Sequence, residues 1–399
     1  MLVSDKIRGY LMLTRRELMA ASAAVLASSR EALASDAGLV ALPDKKPLIA
    51  RSFRPPNFET PLADLRQPFT RNDAFFVRYH LPVIPEIDTA DWTLAIAGPG
   101  AERELTLSLR DLRRDFERVA IPAVNQCSGN RRGLFVPRVP GVQWEYGAMG
   151  HALWGGVRLA DVLRRAGVRP DAVEVVFECA DAGVLPQTPV YVKSLPIDRA
   201  VAESTLIAFE MNGKPLPHLH GAPARLVVPG WTATYWMKHL RTIRVVQQPF
   251  DGFWMKNAYR LPLGAFPGAR FPSQDDASTT PITEILVNSI ITSPAEGNRL
   301  RRSKPAEVRG WAWDGGSGIA AVDISVDRGQ SWQPAKLDAE IGPFAWRGFR
   351  FRLDTRTAGT LEVMARATGR NGQRQPQALT VNAAGYHHNV PQVVKVEVA

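Results

Sequence analysis

The chain of 399 residues contains only two cysteines, Cys127 and Cys179, so at most one disulfide can form. It has no Cys-x-x-Cys-His run, which excludes a covalently attached c-type haem. Neither a Gly-x-Gly-x-x-Gly nor a P-loop sequence occurs, so these two nucleotide-phosphate cradles are missing. Formal charge is +10, yet the arginines are scattered, without a basic helix or an RNA-type aromatic motif. That pattern ranks nucleic acid below a small anion met by a few focused arginines. The apolar stretch near the N-terminus is too short to cross a bilayer, so no membrane span is expected.

What is present reads as an exported, multidomain chain. The length suits two or three domains, and 31 prolines with 31 glycines call for many turns and short strands rather than a helical bundle. Residues 1–34 resemble an export signal, with Arg15 and Arg16 before a short apolar run and the small-residue site Ala32-Leu33-Ala34. The twin arginine points to folded export into the periplasm, with an ordinary secretory signal as the alternative. Folded export in turn suggests a cofactor inserted before the chain leaves the cytoplasm.

Residues 35–70, rich in Pro, Asp, Arg and Phe without periodicity, are expected to be a wrapping arm. Residues 71–275 mix short apolar runs with a few helices and predict an α+β domain. Within it, "LSLRDLRRDF" offers Ser108 and Asp111 as a capping box. "VRLADVLRRAG" places Leu159, Val162, Leu163 and Ala166 on one helical face, with Gly167 as the stop. From 276 to 399 nearly everything alternates as strand and turn. "VDISVDRGQSW" points Val322, Ile324 and Val326 inward, "GFRFRLD" and "LEVMARATGRNGQ" repeat the pattern, and "VVKVEV" is placed at a sheet edge. This predicts an immunoglobulin-like β-sandwich by architecture, without the Cys…Trp…Cys spacing of true antibody domains.

The cysteines carry the chemical signal. Cys179 alternates with Val173, Val175 and Phe177 and reads as a buried packing thiol. Cys127 lies where an apolar strand gives way to the turn "NQCSGNRR", and Arg131 and Arg132 beside it would favour a thiolate. A phosphatase loop needs arginine six positions after the cysteine, where Gly133 stands. A cysteine hydrolase, a thiolate metal ligand completed by an organic cofactor, and a plain Cys127–Cys179 disulfide all stay open on spacing alone.

"NQCSGNRR" resembles the molybdenum-binding signature of the sulfite oxidase family, usually Cys-Ala-Gly-Asn-Arg-Arg, with Ser128 in place of alanine. Five further segments resemble family motifs in the expected order: "FFVRYHLPV", "WGGVRLADVL", "FECAD", "FEMNGKPLPHLHGAPARLVVPGW" and "GFWMKNAYRLP". His218 departs from the arginine common at its place. "RGWAWDGGSGIAAVDISVDRGQSW" is similar to the opening of the family's dimerisation domain. The resemblance covers residues 65–399.

The resemblance implies a molybdenum–molybdopterin cofactor, with Cys127 as the only protein ligand to the metal. It implies that Arg78 and Arg132 line the anion pocket, Trp144 walls it, and Tyr259 lies close to the metal. His80, Asp181, His220, Arg225 and Lys238 fall on cofactor-contacting positions. The bland alternatives are structural salt bridges for the arginines and core packing for Trp144 and Tyr259. The implied activity is oxidation of sulfite to sulfate in a homodimer. Without a haem of its own, such a chain would pass electrons to a separate c-type cytochrome. An exported molybdopterin reductase acting on sulfoxides, or a non-catalytic oxyanion-binding protein, are the competing functions.

Overall fold

The computed structural model describes residues 39–399. The export signal expected over 1–34 lies outside the described residues. The segment expected to be a wrapping arm over 35–70 forms short strands that pair with one another and with Val77–Arg78 beyond it. Leu39–Val40, Leu48–Ser52, Asn57–Glu59 and Val77–Arg78 form a four-stranded antiparallel sheet. These strands are two to five residues long, too short to show a period of two, yet Asn57 sits opposite Arg78. The segment also binds the C-terminal domain, because Trp311 and Trp346 donate their indole N–H to the carbonyls of Leu65 and Pro68.

Two sheets build the larger domain. One is mixed, in the spatial order Val192–Pro196, Glu174–Cys179, Leu240–Val246, Thr93–Ala97, Leu105–Ser108. The other pairs Arg118–Gln126, Met149–Arg158 and Leu206–Met211 antiparallel. Arg118–Gln126 is an edge strand, which explains how it tolerates Pro122: its missing N–H need not serve a second neighbour. Both expected helical devices are present. Ser108 and Asp111 close a reciprocal capping box on the helix Leu109–Asp115. Helix Leu159–Ala166 buries Leu159, Val162, Leu163 and Ala166 and stops at Gly167, whose φ of 74° suits glycine.

The C-terminal domain is a sandwich of a four-stranded and a five-stranded sheet. Val322 and Ile324 of the strand Ile319–Ser325 enter its core with Val363, Ala365, Val394 and Val396. Val393–Val398 is not quite the edge, since the two-residue strand Arg299–Leu300 pairs outside it in parallel. A separate apolar cluster of Leu65, Val124, Met149, Ile285, Ile290, Trp313 and Trp346 joins the arm, the Arg118–Gln126 strand and the sandwich. The strand that delivers Cys127 is therefore clamped from both domains. Among the described residues, no helix is long and apolar enough to cross a membrane.

Candidate active site

Cys127 emerges directly from the strand Arg118–Gln126, and its N–H extends the ladder by one bond to Ala148 O at 2.9 Å. Two tight turns follow: Asn130 N–H donates to Cys127 O at 2.9 Å, and Arg132 N–H to Gly129 O at 3.0 Å. The Asn130 side chain accepts from Ala148 N at 3.0 Å and ties the loop to the next strand. At Gly129 a Cβ would lie 2.4 Å from the Arg132 guanidinium, so only glycine leaves room for that cation. Both cysteines are free thiols, which removes the disulfide reading.

The two arginines diverge. Arg131 adopts φ 68°, and this left-handed turn sends its side chain away from the thiol into the domain boundary. There it donates to Ser289 O at 2.6 Å and Val390 O at 3.1 Å. The expectation that both arginines flank the cysteine is thus corrected: Arg131 is a buried tie between domains. Arg132 donates to Ala384 O at 2.9 Å and Val142 O at 3.3 Å, and lies 5.2 Å from the Tyr386 ring centre.

Arg78 reaches the same pocket from the N-terminal sheet. Its guanidinium donates to Asn57 Oδ1 at 3.2 Å and to the Tyr259 hydroxyl at 3.5 Å. Burial opposes its charge, but Tyr259, Cys127 and Tyr191 hold the proton more strongly, and its pKa is raised overall. Tyr259 shares a hydrogen bond with His80 Nε2, and the His80 ring stacks on Tyr191 at 3.7 Å. Burial first, then Arg78, Lys238 and Lys193, push His80 well below its ordinary value, so the imidazole is neutral. Burial likewise raises the Tyr259 phenol. Tyr259 also has φ 59°, an uncommon conformation for a bulky residue and one found where surroundings force a side chain into a site. No carboxylate pairs with Arg78 or Arg132 among the described residues; their contacts are carbonyl, amide and hydroxyl oxygens. The salt-bridge alternative for them is therefore gone, and both cations are free to meet an anion.

A cleft continues from Arg78 and His80 past Asn125, Cys179, Asp181, His220, Arg225 and Lys238. It gathers the remaining expected positions, Asp181, His220, Arg225 and Lys238, along one wall of lining residues. Arg225 donates to His220 O at 3.0 Å and Trp236 O at 2.9 Å, while its Nε, also buried, has no partner. The side-chain N–H groups of Asn125 and the hydroxyl of Ser128 are equally buried and unpartnered. Lys238 lies 3.3 Å from the Tyr79 ring centre, and burial followed by the Arg225 charge depresses its pKa strongly. Lys45, which the sequence reading missed, inserts from the arm, donates to Phe75 O at 2.9 Å and meets His220 Nε2. Burial brings it down to about 7.

Four basic side chains, Arg78, Arg225, Lys238 and Lys45, surround one carboxyl here, and buried donors of Arg225 and Asn125 have no partner, so the surroundings suit an anion rich in hydrogen-bonding groups. A pterin with its phosphate fits that description. Among the described residues, no three His, Cys, Asp or Glu side chains cluster as metal ligands. A metal at Cys127 would need its other ligands from an organic group, as the pterin sulfurs provide. Cys179 packs against the core as expected, and it also borders this cleft. Trp144 is fully buried, edge-on to Phe76 at 6.4 Å, and backs the lining instead of forming its wall.

The lone acid has a consequence for stability. Burial raises the Asp181 carboxyl to about 6, although Lys238, a backbone N–H and Arg78 oppose the shift. A carboxyl whose folded pKa lies above the unfolded value of about 3.9 holds its proton more tightly when folded. Its contribution is present below about pH 4 and is lost as pH rises through about 6, by roughly 3 kcal/mol at most. In the cofactor-free chain, Asp181→Asn should remove that loss. Urea unfolding at pH 4 and pH 7 checks this, and an identical pH dependence in the two proteins would refute it.

The sequence of residues 80–254 matches the family model "Oxidoreductase molybdopterin binding domain", and 279–399 match "Mo-co oxidoreductase dimerisation domain". The chain is 35% identical over 367 residues to the mitochondrial sulfite oxidase of Drosophila melanogaster, covering 87% of this chain and 62% of that protein. It thus spans a little under two thirds of the fly protein's length. Against the sulfite oxidase of Gallus gallus it is 35% identical over 348 residues, covering 83% of this chain and 73% of the relative. Its fold is similar to the crystal structure of the sulfane dehydrogenase SoxCD from Paracoccus pantotrophus, with TM-score 0.73, 26% identity, and 90% and 92% of the two chains covered.

Proposed function

The chain belongs to the sulfite oxidase family of molybdopterin oxidoreductases, and on that premise we propose that it oxidises sulfite to sulfate. The net reaction joins sulfite and water to give sulfate, two protons and two electrons. The observation that carries this reading is the convergence of two unpaired guanidinium groups, Arg78 and Arg132, on the pocket that holds the lone Cys127 thiol.

When bound, the molybdopterin centre supplies the oxygen-atom and two-electron chemistry, with Cys127 as its protein ligand. Arg225, Lys238 and His220 would hold the pterin and its phosphate, with Asn125 and Asp181 meeting its polar edge. Arg78 and Arg132 would capture the oxyanion beside Cys127, and their charge is available to the substrate because no carboxylate competes. Tyr259 and neutral His80 form a two-member relay that can take a proton at the hydroxyl and pass it to the imidazole. Phe76, Trp144 and Tyr191 exclude water behind the site.

Two electrons leave one at a time, which we assign to a separate c-type cytochrome. The twin arginine at Arg15 and Arg16 supports export to the periplasm, where such acceptors reside. Recovery of the active enzyme only from the cytoplasmic fraction would remove that part. The dimerisation domain supports a homodimer, and sedimentation at micromolar concentration should give twice the chain mass. Sulfite-dependent reduction of ferricyanide is the test of direction. Oxidation of a reduced viologen by sulfoxides, with no response to sulfite, would instead make the protein a reductase.

A further inference from the structure

The C-terminal sandwich does more than pack beside the site, because one of its loops enters the anion pocket. Asn382 closes this loop with its own amide: Oδ1 accepts from Tyr386 N at 3.0 Å, and Nδ2 donates to Tyr386 O at 2.9 Å. Gly385 in between has φ 61°, and a Cβ there would come within 2.8 Å of the Arg132 side chain. The loop therefore presses against Arg132 by backbone alone, and Ala384 O fixes the guanidinium Nε at 2.9 Å. Tyr386 then lies 8% exposed, with its ring stacked on Tyr259 at 5.6 Å and 8° between planes. The Arg132 guanidinium sits 5.2 Å from the same ring centre.

We infer that Tyr386 is a positioning residue that sets Arg132 and Tyr259 relative to each other for oxyanion capture. An arginine side chain has many rotamers, and a free guanidinium in this pocket would sample several of them. The Tyr386 ring face, together with the Ala384 and Val142 carbonyls, restricts that freedom. The same ring fixes the Tyr259 plane, so the cation and the phenol keep a common registry. Both contacts use the ring and not the hydroxyl. This inference rests on the reading of the pocket as an oxyanion site.

The test uses the molybdenum-loaded enzyme and two readouts, sulfite kinetics and calorimetric binding of sulfate. Tyr386→Ala should raise KM for sulfite and the Kd of sulfate by about tenfold, with kcat changed far less, in line with loss of one cation–π contact. Tyr386→Phe keeps the ring and should restore most of both. Tyr386→Leu, which fills the space without an aromatic face, serves where the alanine variant is too unstable to load, and carries the alanine expectation. Unchanged KM and sulfate Kd in the alanine or leucine protein would overturn the inference. So would a phenylalanine variant as impaired as alanine, which would make the hydroxyl the acting group. A wild type that binds sulfate but does not oxidise sulfite would refute the proposed function alone, because the sulfate affinities of the series still decide the role of Tyr386.

Discussion

Replacing Cys127 by serine is expected to leave a folded, pterin-bearing protein whose sulfite turnover falls below about a thousandth of wild type. The loop around Cys127 is held by backbone groups and by Asn130, and none of those bonds uses the sulfur. Serine is smaller and meets no steric obstacle in a site already 7% exposed. The cleft proposed to hold the pterin is built from Arg225, Lys238, His220 and Asn125, which the substitution does not touch. What changes is the ligand: a hard oxygen replaces the soft thiolate, with different affinity and electronics at the metal. Pterin fluorescence and metal analysis report loading, and steady-state kinetics report turnover. Near-wild-type sulfite oxidation by the loaded serine variant would remove Cys127 from the chemistry.

Arg78→Gln and Arg132→Gln should each lower kcat/KM for sulfite by roughly one to two decades while molybdenum stays bound. Each substitution deletes charge-assisted hydrogen bonds worth about 1.5–3 kcal/mol, and each 1.36 kcal/mol is tenfold in rate. Most of the loss should appear in KM if ground state and transition state are bound alike. The arginines have no carboxylate partner, so neither substitution strands a buried anion. Removing Arg78 deletes its hydrogen bonds to Asn57 and Tyr259, each worth about 1 kcal/mol, so the melting temperature should fall by far less than the activity does. A loss of stability equal to the loss of activity would return these residues to a structural role. Unchanged kcat/KM in both variants would dissolve the anion pocket.

Much of the site was legible because its motifs are local. The cysteine turn, the capping box at Ser108 and the alternation of Val322 and Ile324 are each contained within a dozen residues; the last two are found as read, and the turn is found with one of its two arginines turned away. Their assembly was legible only through the ordered resemblance, since Arg78, Cys127, His220 and Tyr259 share no period. What escaped depends on contacts far apart in sequence. Lys45 meets His220 across 175 positions, and Arg132 meets Ala384 across 252. Nothing local in "PDKKPL" or "AAGYHHN" marks either partner. Arg131 shows the same limit in reverse. Its neighbourhood to Cys127 suggested a shared role, and a single positive φ sent it to the other domain. The arm escaped too, because strands of two to five residues are stabilised by their partners and not by their own composition.

The most direct test of the account is the electron and product balance of the purified, molybdenum-loaded chain under anaerobic conditions. Sulfite is added with excess ferricyanide, and sulfate and reduced acceptor are both counted. The account predicts sustained turnover with one sulfate formed for every two ferricyanide ions reduced, and less than about a thousandth of that rate from Cys127→Ser. Stoichiometrically loaded wild type that forms no sulfate, or that reduces the acceptor without sulfite, would contradict it.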